Sequence, residues 1–242
     1  MIEKLDGIII SETNYSETSK ILNVLTLKYG LIGVIAKGCR SLKSELLSST
    51  EKLTFGTFNL YYKEGKLSNL ISVDIKNRFK NIKRDIMKIS YASFLLDLTN
   101  QVVKQSQNSL YELLISALIK IEEGYDETVI SNIIELKYLD YLGVLPIIDS
   151  CALCGSTKTI VTLSSDIGGY LCRKCRKNEP IVNEMTIKYI RMFYYVDINK
   201  ISKLKLDDNI KKEINYFLDR YYDKYTGLYL KSKSFIKNLE NL

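Results

Sequence analysis

The sequence contains no histidine. Without an imidazole, the protein has no Ser-His-Asp or Cys-His catalytic arrangement, no histidine ligand for zinc and no histidine acid–base chemistry near neutral pH. Catalysis through carboxylates, lysine or tyrosine stays possible. The chain also has no apolar run of about 18 residues, the length that a membrane-spanning helix needs. Its first residues, Met1 to Lys4, show no signal or transit pattern, so we expect a cytoplasmic protein.

Charge is unevenly distributed along the 242 residues, although the net charge is only +7. Residues 1–80 carry 12 basic and 8 acidic side chains, residues 81–150 carry 6 and 10, and residues 151–242 carry 17 and 10. Two basic ends therefore flank an acidic middle. Basic ends favour a polyanionic partner, but a solvated lysine-rich surface explains the charge alone equally well.

Two cysteine pairs form the most specific motif of the chain: Cys151 and Cys154, then Cys172 and Cys175, in the pattern C-x2-C-x17-C-x2-C. This spacing is typical of a four-thiolate zinc site, in which each pair forms a tight knuckle and the four sulfurs surround one ion. Gly155 follows the first pair, where a knuckle often needs a positive φ. Four sulfurs leave no open position for water, so we expect a structural Zn²⁺ in a zinc ribbon.

Other roles for these cysteines are weaker alternatives. Disulfides need an oxidising compartment, and a redox motif needs one pair rather than two. An iron–sulfur cluster also uses four thiolates, but knuckles this far apart are more typical of zinc.

The first 80 residues alternate apolar and polar side chains as β-strands do, with Glu64-Gly65 as a hairpin turn. Short strands in so few residues predict a small OB-type barrel, and an SH3-like barrel has a similar pattern. The basic loop after the third strand has poor strand character. The predicted strands are Lys4–Ser11, Lys20–Lys28, Leu31–Lys37, Leu53–Lys63 and Lys66–Asp74.

From about residue 81 the apolar residues recur at helical spacing. The capping-box pattern that begins at Ser109 predicts the start of the second helix, and Asn183 is a candidate N-cap. The predicted helices cover 81–105, 109–124, 127–142, 184–196 and 208–225, with a short helix or coil over 228–242. The expected fold class is α+β: an OB barrel over 1–80, then a helical domain over 81–242 with the ribbon inserted at about 150–176.

Three stretches of the chain resemble the RecO family of bacterial recombination mediators. The barrel pattern is weak alone, but the three in this order are specific, and they extend along nearly the whole chain. They are Tyr15-Ser16-Glu17-Thr18-Ser19-Lys20-Ile21-Leu22 with Ala36-Lys37-Gly38-Cys39-Arg40 in the barrel, Tyr141-Leu142-Gly143 leading to the four cysteines, and Leu230-Lys231-Ser232-Lys233-Ser234-Phe235 near the C-terminus.

The resemblance implies a non-enzymatic protein that binds single- and double-stranded DNA, anneals complementary strands and forms a complex with RecR. Its implied task is to help RecA replace single-strand-binding protein on DNA gaps, in the cytoplasm and in association with the nucleoid. We therefore expect two clusters of DNA-binding residues: Lys37, Arg40 and Lys43 on the barrel loop, and Arg173, Lys174, Arg176 and Lys177 on the second zinc knuckle.

Two other functions stay open from the sequence. One is an RNA-binding OB and zinc-ribbon protein of translation or ribosome assembly, because both folds also serve RNA. The other is a nucleic-acid enzyme with a carboxylate metal site, which would need clustered Asp and Glu residues, whereas those of 81–150 look spread along helix surfaces. Tyr61 and Tyr62 are adjacent in one predicted strand, so one of them is a candidate stacking surface or simply half-exposed.

Overall fold

The computed structural model describes residues 1–105 and 110–240. Contacts divide the chain into two compact units, which we call the barrel unit and the ribbon unit. The barrel unit comprises Met1–Glu122 and the segment from Leu230 onward, and the ribbon unit comprises Glu123–Tyr229.

The barrel unit contains a closed barrel with the strand order β1-β2-β3-β5-β4. Neighbouring strands are antiparallel except β3 and β5, which run parallel. This order confirms the predicted OB-type barrel and the α+β fold class. The strands are β1 (Ile2–Tyr15), β2 (Ser19–Thr26), β3 (Gly30–Ala36), β4 (Phe55–Tyr61) and β5 (Ser68–Asn77).

Alternating apolar side chains fill the interior of this barrel. Leu5 and Ile9 of β1 pack with Leu22 and Val24 of β2 and with Phe58 of β4. Successive side chains of a strand point to opposite faces, which explains why the alternation in the sequence locates these strands. The predicted turn at Glu64-Gly65 is also confirmed, since Gly65 has a φ of +65° between β4 and β5.

Helices complete both units. Among the described residues, none of these helices is both long and apolar enough to cross a membrane. They are α1 (Lys80–Arg84), α2 (Ile86–Gln105), α3 (Tyr111–Glu122), α4 (Glu127–Tyr141), α5 (Glu184–Tyr195), α6 (Asp208–Tyr225) and α7 (Lys231–Glu240).

The prediction of one helix over 81–105 is wrong, because the chain breaks at Asp85 between α1 and α2. Asp85 has extended backbone angles, φ −118° and ψ 122°, and its carboxylate accepts the N–H groups of Met87 and Lys88 at 2.9 and 3.1 Å. An aspartate that accepts such bonds starts a new helix. Ile82 and Ile86 are at helical spacing on either side of Asp85, so the apolar pattern of the sequence does not indicate the break.

The other predicted helices match the structure to within a few residues. The side chain of Asn183 accepts the N–H of Met185 at 2.9 Å and is the N-cap of α5, as predicted. The predicted capping box begins at Ser109, which lies outside the described residues.

A two-stranded ribbon lies between α4 and α5 in the ribbon unit. Its strands are β6 (Ile160–Ser164) and β7 (Gly169–Cys172). The segment before the first knuckle also pairs with this ribbon: the N–H of Ile147 donates to the carbonyl of Gly168 at 2.9 Å, and the N–H of Tyr170 donates to the carbonyl of Ile147 at 2.8 Å. These bonds fix the entrance to the four-cysteine site.

Candidate metal centre and nucleic-acid interface

Backbone hydrogen bonds shape both cysteine knuckles. In the first, the N–H of Gly155 donates to the carbonyl of Cys151 at 2.8 Å, and Gly155 has the expected positive φ, +70°. In the second, the N–H groups of Cys175 and Arg176 donate to the carbonyl of Cys172 at 3.1 and 3.0 Å. Each turn therefore points its two sulfurs toward the same side.

The four cysteine sulfurs converge. They all lie within 4.8 Å of one another, and the sulfurs of Cys154 and Cys172 are 3.7 Å apart. A tetrahedron with metal–sulfur distances of about 2.3 Å puts its sulfurs about 3.8 Å apart. The cluster of Cys151, Cys154, Cys172 and Cys175 therefore has the dimensions to hold one metal ion.

The pKa values of these thiols are also consistent with a cation-binding site. Burial works to raise the pKa of Cys151, but backbone N–H groups of Cys172, Leu153 and Cys154 lower it to about 6. The pKa of Cys175 is raised to about 12 by its hydrogen bonds with the sulfurs of Cys154 and Cys172. Once one thiolate forms, its neighbours resist ionisation unless a positive charge lies among them. A divalent metal ion supplies that charge.

The remaining cysteine, Cys39, is a free thiol that is completely buried in the barrel core. It therefore anchors the barrel loop that carries the first predicted DNA-binding cluster.

Lys37, Arg40 and Lys43 are all exposed on that barrel loop. The backbone N–H of Arg40 donates to the carbonyl of Thr18 at 2.9 Å, and its Nη1 donates to the carbonyl of Ser16 at 3.4 Å. These bonds connect the loop to the turn between β1 and β2. The loop is held at its base by Cys39 and at its side by Arg40, so its cations extend from a fixed backbone.

The knuckle cluster is less uniform than the sequence suggests. Arg173, Lys174 and Lys177 are exposed, but Nη1 of Arg176 donates to the carbonyl of Glu179 at 2.5 Å and its side chain is only half-exposed. The N–H of Lys177 also donates to the carboxylate of Glu179 at 2.9 Å. The guanidinium of Arg176 therefore also contacts the turn that follows the knuckle.

Of the two adjacent tyrosines, Tyr61 is 51% exposed, whereas Tyr62 stacks on Tyr29 with ring centroids 4.4 Å apart. Nζ of Lys28 lies 4.8 Å from the centroid of the Tyr29 ring. Tyr29 and Tyr62 are 33 positions apart, so no local pattern predicts their contact.

The sequence analysis missed a third group of exposed cations, which lies between β5 and α2. The sequence shows a high local density of basic residues here, but the helical periodicity of this segment identifies only its apolar positions. The group comprises Arg78, Lys80, Lys83 and Arg84.

The fold and the cysteine cluster together define an α+β protein that joins an OB-type barrel to a four-cysteine ribbon. Two family models match the chain: the one described as Recombination protein O N terminal covers residues 1–79, and the one described as Recombination protein O C terminal covers residues 83–234.

Curated relatives match over nearly their whole length. A DNA repair protein RecO of Listeria monocytogenes serotype 4b is 32% identical over 244 residues, which are 99% of this chain and 95% of the relative. Those of Bacillus cytotoxicus and Halalkalibacterium halodurans are 34% and 32% identical over 245 and 247 residues, with 98% and 97% of each relative covered. The chain therefore belongs to the RecO family of recombination and DNA repair proteins.

Proposed function

We propose that this protein is a non-enzymatic mediator of recombinational repair. In this role it binds single- and double-stranded DNA, pairs complementary strands, and helps RecA replace single-strand-binding protein on gaps, in a complex with RecR. Membership of the RecO family along the whole chain carries the proposal. The proposed location is the cytoplasm, in association with the nucleoid.

The barrel loop supports DNA binding by its chemistry. Strand pairing needs no nucleophile, but it needs phosphate charge to be neutralised while the bases stay free to pair. Lys37, Arg40 and Lys43 extend from a loop whose backbone is already fixed, so less conformational entropy is lost when they contact phosphates. Phosphate contacts of this kind bind DNA without reading its sequence.

We propose Zn²⁺ as the ion that Cys151, Cys154, Cys172 and Cys175 hold. Four thiolates in two separate knuckles are typical of zinc, and a closed site of this kind serves structure. When bound, the ion is coordinated by sulfurs of both knuckles and so links them. Its binding free energy then contributes to the folding free energy of the ribbon. The exposed Arg173, Lys174 and Lys177 then form a second, smaller phosphate-binding surface beside the ion.

The two parts of the chain have different proposed roles. Residues 1–80 form the main DNA-binding module, and residues 81–242 form a helical domain that carries the zinc ribbon. The acidic helical region is the surface that we assign to protein partners, RecR and single-strand-binding protein. The charge balance favours this division, because residues 81–150 carry 10 acidic and 6 basic side chains.

Binding measurements with three nucleic acids test the proposal. We expect the zinc-loaded protein to bind single- and double-stranded DNA with a log affinity that falls by several units per log unit of salt. We also expect less than about tenfold preference between duplex sequences at matched salt. Binding to structured RNA in place of DNA, or an affinity that does not respond to salt, would contradict the proposal.

A further inference from the structure

The segment between β5 and α2, residues 78–84, is the junction segment. It carries four exposed cations, Arg78, Lys80, Lys83 and Arg84. Within residues 1–105 and 110–240, none of these four cations forms an ion pair with an acidic side chain. The nearby Lys76 differs, because its Nζ lies 2.6 Å from the carboxylate of Asp6. The charge of the junction segment is thus not used to hold the fold together.

A strained and buried phenylalanine fixes the start of the junction segment. Phe79 has a φ of +47° and a ψ of 54°, a left-handed conformation that is strained for a residue other than glycine. It is held there because its side chain is completely buried, its ring centroid lies 6.2 Å from that of Phe55, and its N–H donates to Oδ1 of Asn77 at 2.8 Å. The chain therefore turns at one defined point.

A carboxylate from another helix fixes the rest of the junction segment. Glu122 of α3 accepts the N–H of Asn81 at 3.1 Å and the N–H of Ile82 at 2.9 Å, and the side chain of Ile82 is completely buried. A helix as short as α1 does not persist without such support. The four cations consequently extend from a backbone that the rest of the barrel unit holds in place.

The placement of the charges works against this short helix. Lys80 lies in the first turn, where the helix dipole disfavours a cation and no acidic side chain is present. Lys80 also shares a helical face with Lys83 and Arg84, three and four positions later, and like charges at these spacings repel. Lys83 and Arg84 lie in the last turn, where the helix dipole favours cations. This favourable interaction offsets only part of the destabilisation by Lys80 and by the like-charge repulsion. A local cost of this kind is expected where a surface serves a partner.

We propose that the junction segment is a further phosphate-contacting surface for a nucleic-acid strand, an inference that rests on the proposed function. Clustered cations on a fixed backbone suit a polyanion whose charges repeat along its length. The end of β3 pairs with the start of β5, so the barrel loop after β3 and the junction segment after β5 lie near opposite ends of β5. The junction segment is therefore a contact surface separate from the barrel loop.

A charge-matched pair of variants tests the inference. The junction variant combines Lys80→Gln, Lys83→Gln and Arg84→Gln, and the control combines Lys4→Gln, Lys104→Gln and Lys205→Gln, three exposed lysines on separate segments of the chain. Each removes three of the seven net positive charges. The measurement is the affinity of the full-length protein for labelled oligo(dT) as a function of salt.

We expect the salt slope of the junction variant to become shallower by about 2 units, since each lost phosphate contact on a single strand changes it by about 0.7. The control should keep the slope within about 0.5 of the wild type. Should the triple variant fail to fold, Arg78→Gln, which lies outside α1, should still reduce the slope by about 0.7.

A junction variant that binds like the control overturns the inference and leaves the proposed function intact, provided that a barrel-loop variant is weakened. That outcome would point to an acidic protein surface as the partner of the segment. Failure of the wild type to bind DNA would overturn the proposed function together with the inference.

Discussion

The backbone N–H of Arg40 donates to the carbonyl oxygen of Thr18 at 2.9 Å, which connects the basic barrel loop to the turn between β1 and β2. The same arginine reaches the carbonyl of Ser16 through Nη1 at 3.4 Å. In an OB barrel, the turn between the first two strands borders the face that binds oligonucleotides. The bond between Arg40 and Thr18 thus holds the loop cations at the edge of that face.

We expect the barrel loop to contribute at least as much DNA affinity as the second knuckle. Replacing Lys37, Arg40 and Lys43 with Ala should weaken single-strand binding by about ten- to a hundredfold, because three phosphate contacts are lost. The matched variant replaces Arg173, Lys174 and Lys177, and it keeps Arg176 because that guanidinium donates to the carbonyl of Glu179.

Both variants are first checked for folding and metal content, and fluorescence anisotropy then gives their affinities. A knuckle variant that loses clearly more affinity, while the loop variant binds normally, would show that the ribbon and not the barrel is the principal DNA contact.

Loss of one metal-binding thiol should release the ion. We expect one zinc per chain in the wild type, and none after Cys154→Ser or Cys172→Ser, whose sulfurs lie 3.7 Å apart in the cluster. The ribbon should then lose its hydrogen-exchange protection, because metal binding and folding are coupled in small units. Elemental analysis gives the metal content.

Cys39→Ala is the control for this experiment, since Cys39 lies in the barrel core, outside the cluster. A serine variant with full zinc content, or iron in the purified wild type, would refute the assignment.

Gly169 should tolerate no side chain. A Cβ at this position would lie far inside van der Waals contact with the carbonyl oxygen of Ile147, against which β7 packs. We expect Gly169→Ala to destabilise the ribbon unit by about 1–3 kcal/mol and to expose the amides of Ile147 and Tyr170 to hydrogen exchange.

Gly143→Ala provides the comparison, because Gly143 has a positive φ but a Cβ added there would meet no atom within 4 Å. It should leave the Ile147 and Tyr170 amides protected. Wild-type protection of these amides in Gly169→Ala would show that Ile147 does not hold the ribbon in this position.

The stability of the barrel should fall slightly in acid through Asp6. Hydrogen bonds from Lys76 and then Thr57 lower the pKa of Asp6 below its ordinary value of 3.8. A carboxyl whose pKa is lower in the folded state stabilises the fold above its unfolded pKa, and this contribution is lost as the pH falls through the folded pKa. Both partners are more than a third exposed, so solvent screening limits the contribution to less than about 1 kcal/mol.

Urea unfolding of Asp6→Asn against pH measures this effect. The difference from the wild type in unfolding free energy should be larger at pH 6 than below pH 3. Glu64→Gln, in the exposed turn between β4 and β5, serves as the control. A difference for Asp6→Asn that stays constant or grows on acidification would exclude the proposed role.

Sequence reasoning succeeded where structure follows from local patterns. Alternation located the strands because each barrel strand has one buried face, and the cysteine spacing located the metal cluster because each knuckle is a local turn. The positive φ of Gly155 followed from the same local argument.

It failed where distant residues decide the local structure. Asp85 caps α2 locally, but the separate helix α1 before the break is also held by Glu122, a residue 40 positions away from Ile82. The basic residues of the junction segment are dense in the sequence, but the burial of Phe79 and Ile82 is what shows which side of that segment faces solvent.

Strand annealing tests the central claim most directly. Two complementary oligonucleotides, one coated with single-strand-binding protein, are mixed with the zinc-loaded protein, and duplex formation is followed by fluorescence energy transfer. We predict that the wild type accelerates pairing by about tenfold or more at low salt, and that the barrel-loop variant loses most of this acceleration, because pairing needs neutralised phosphates. A folded, zinc-loaded wild type that binds both strands but leaves the pairing rate unchanged would contradict the account.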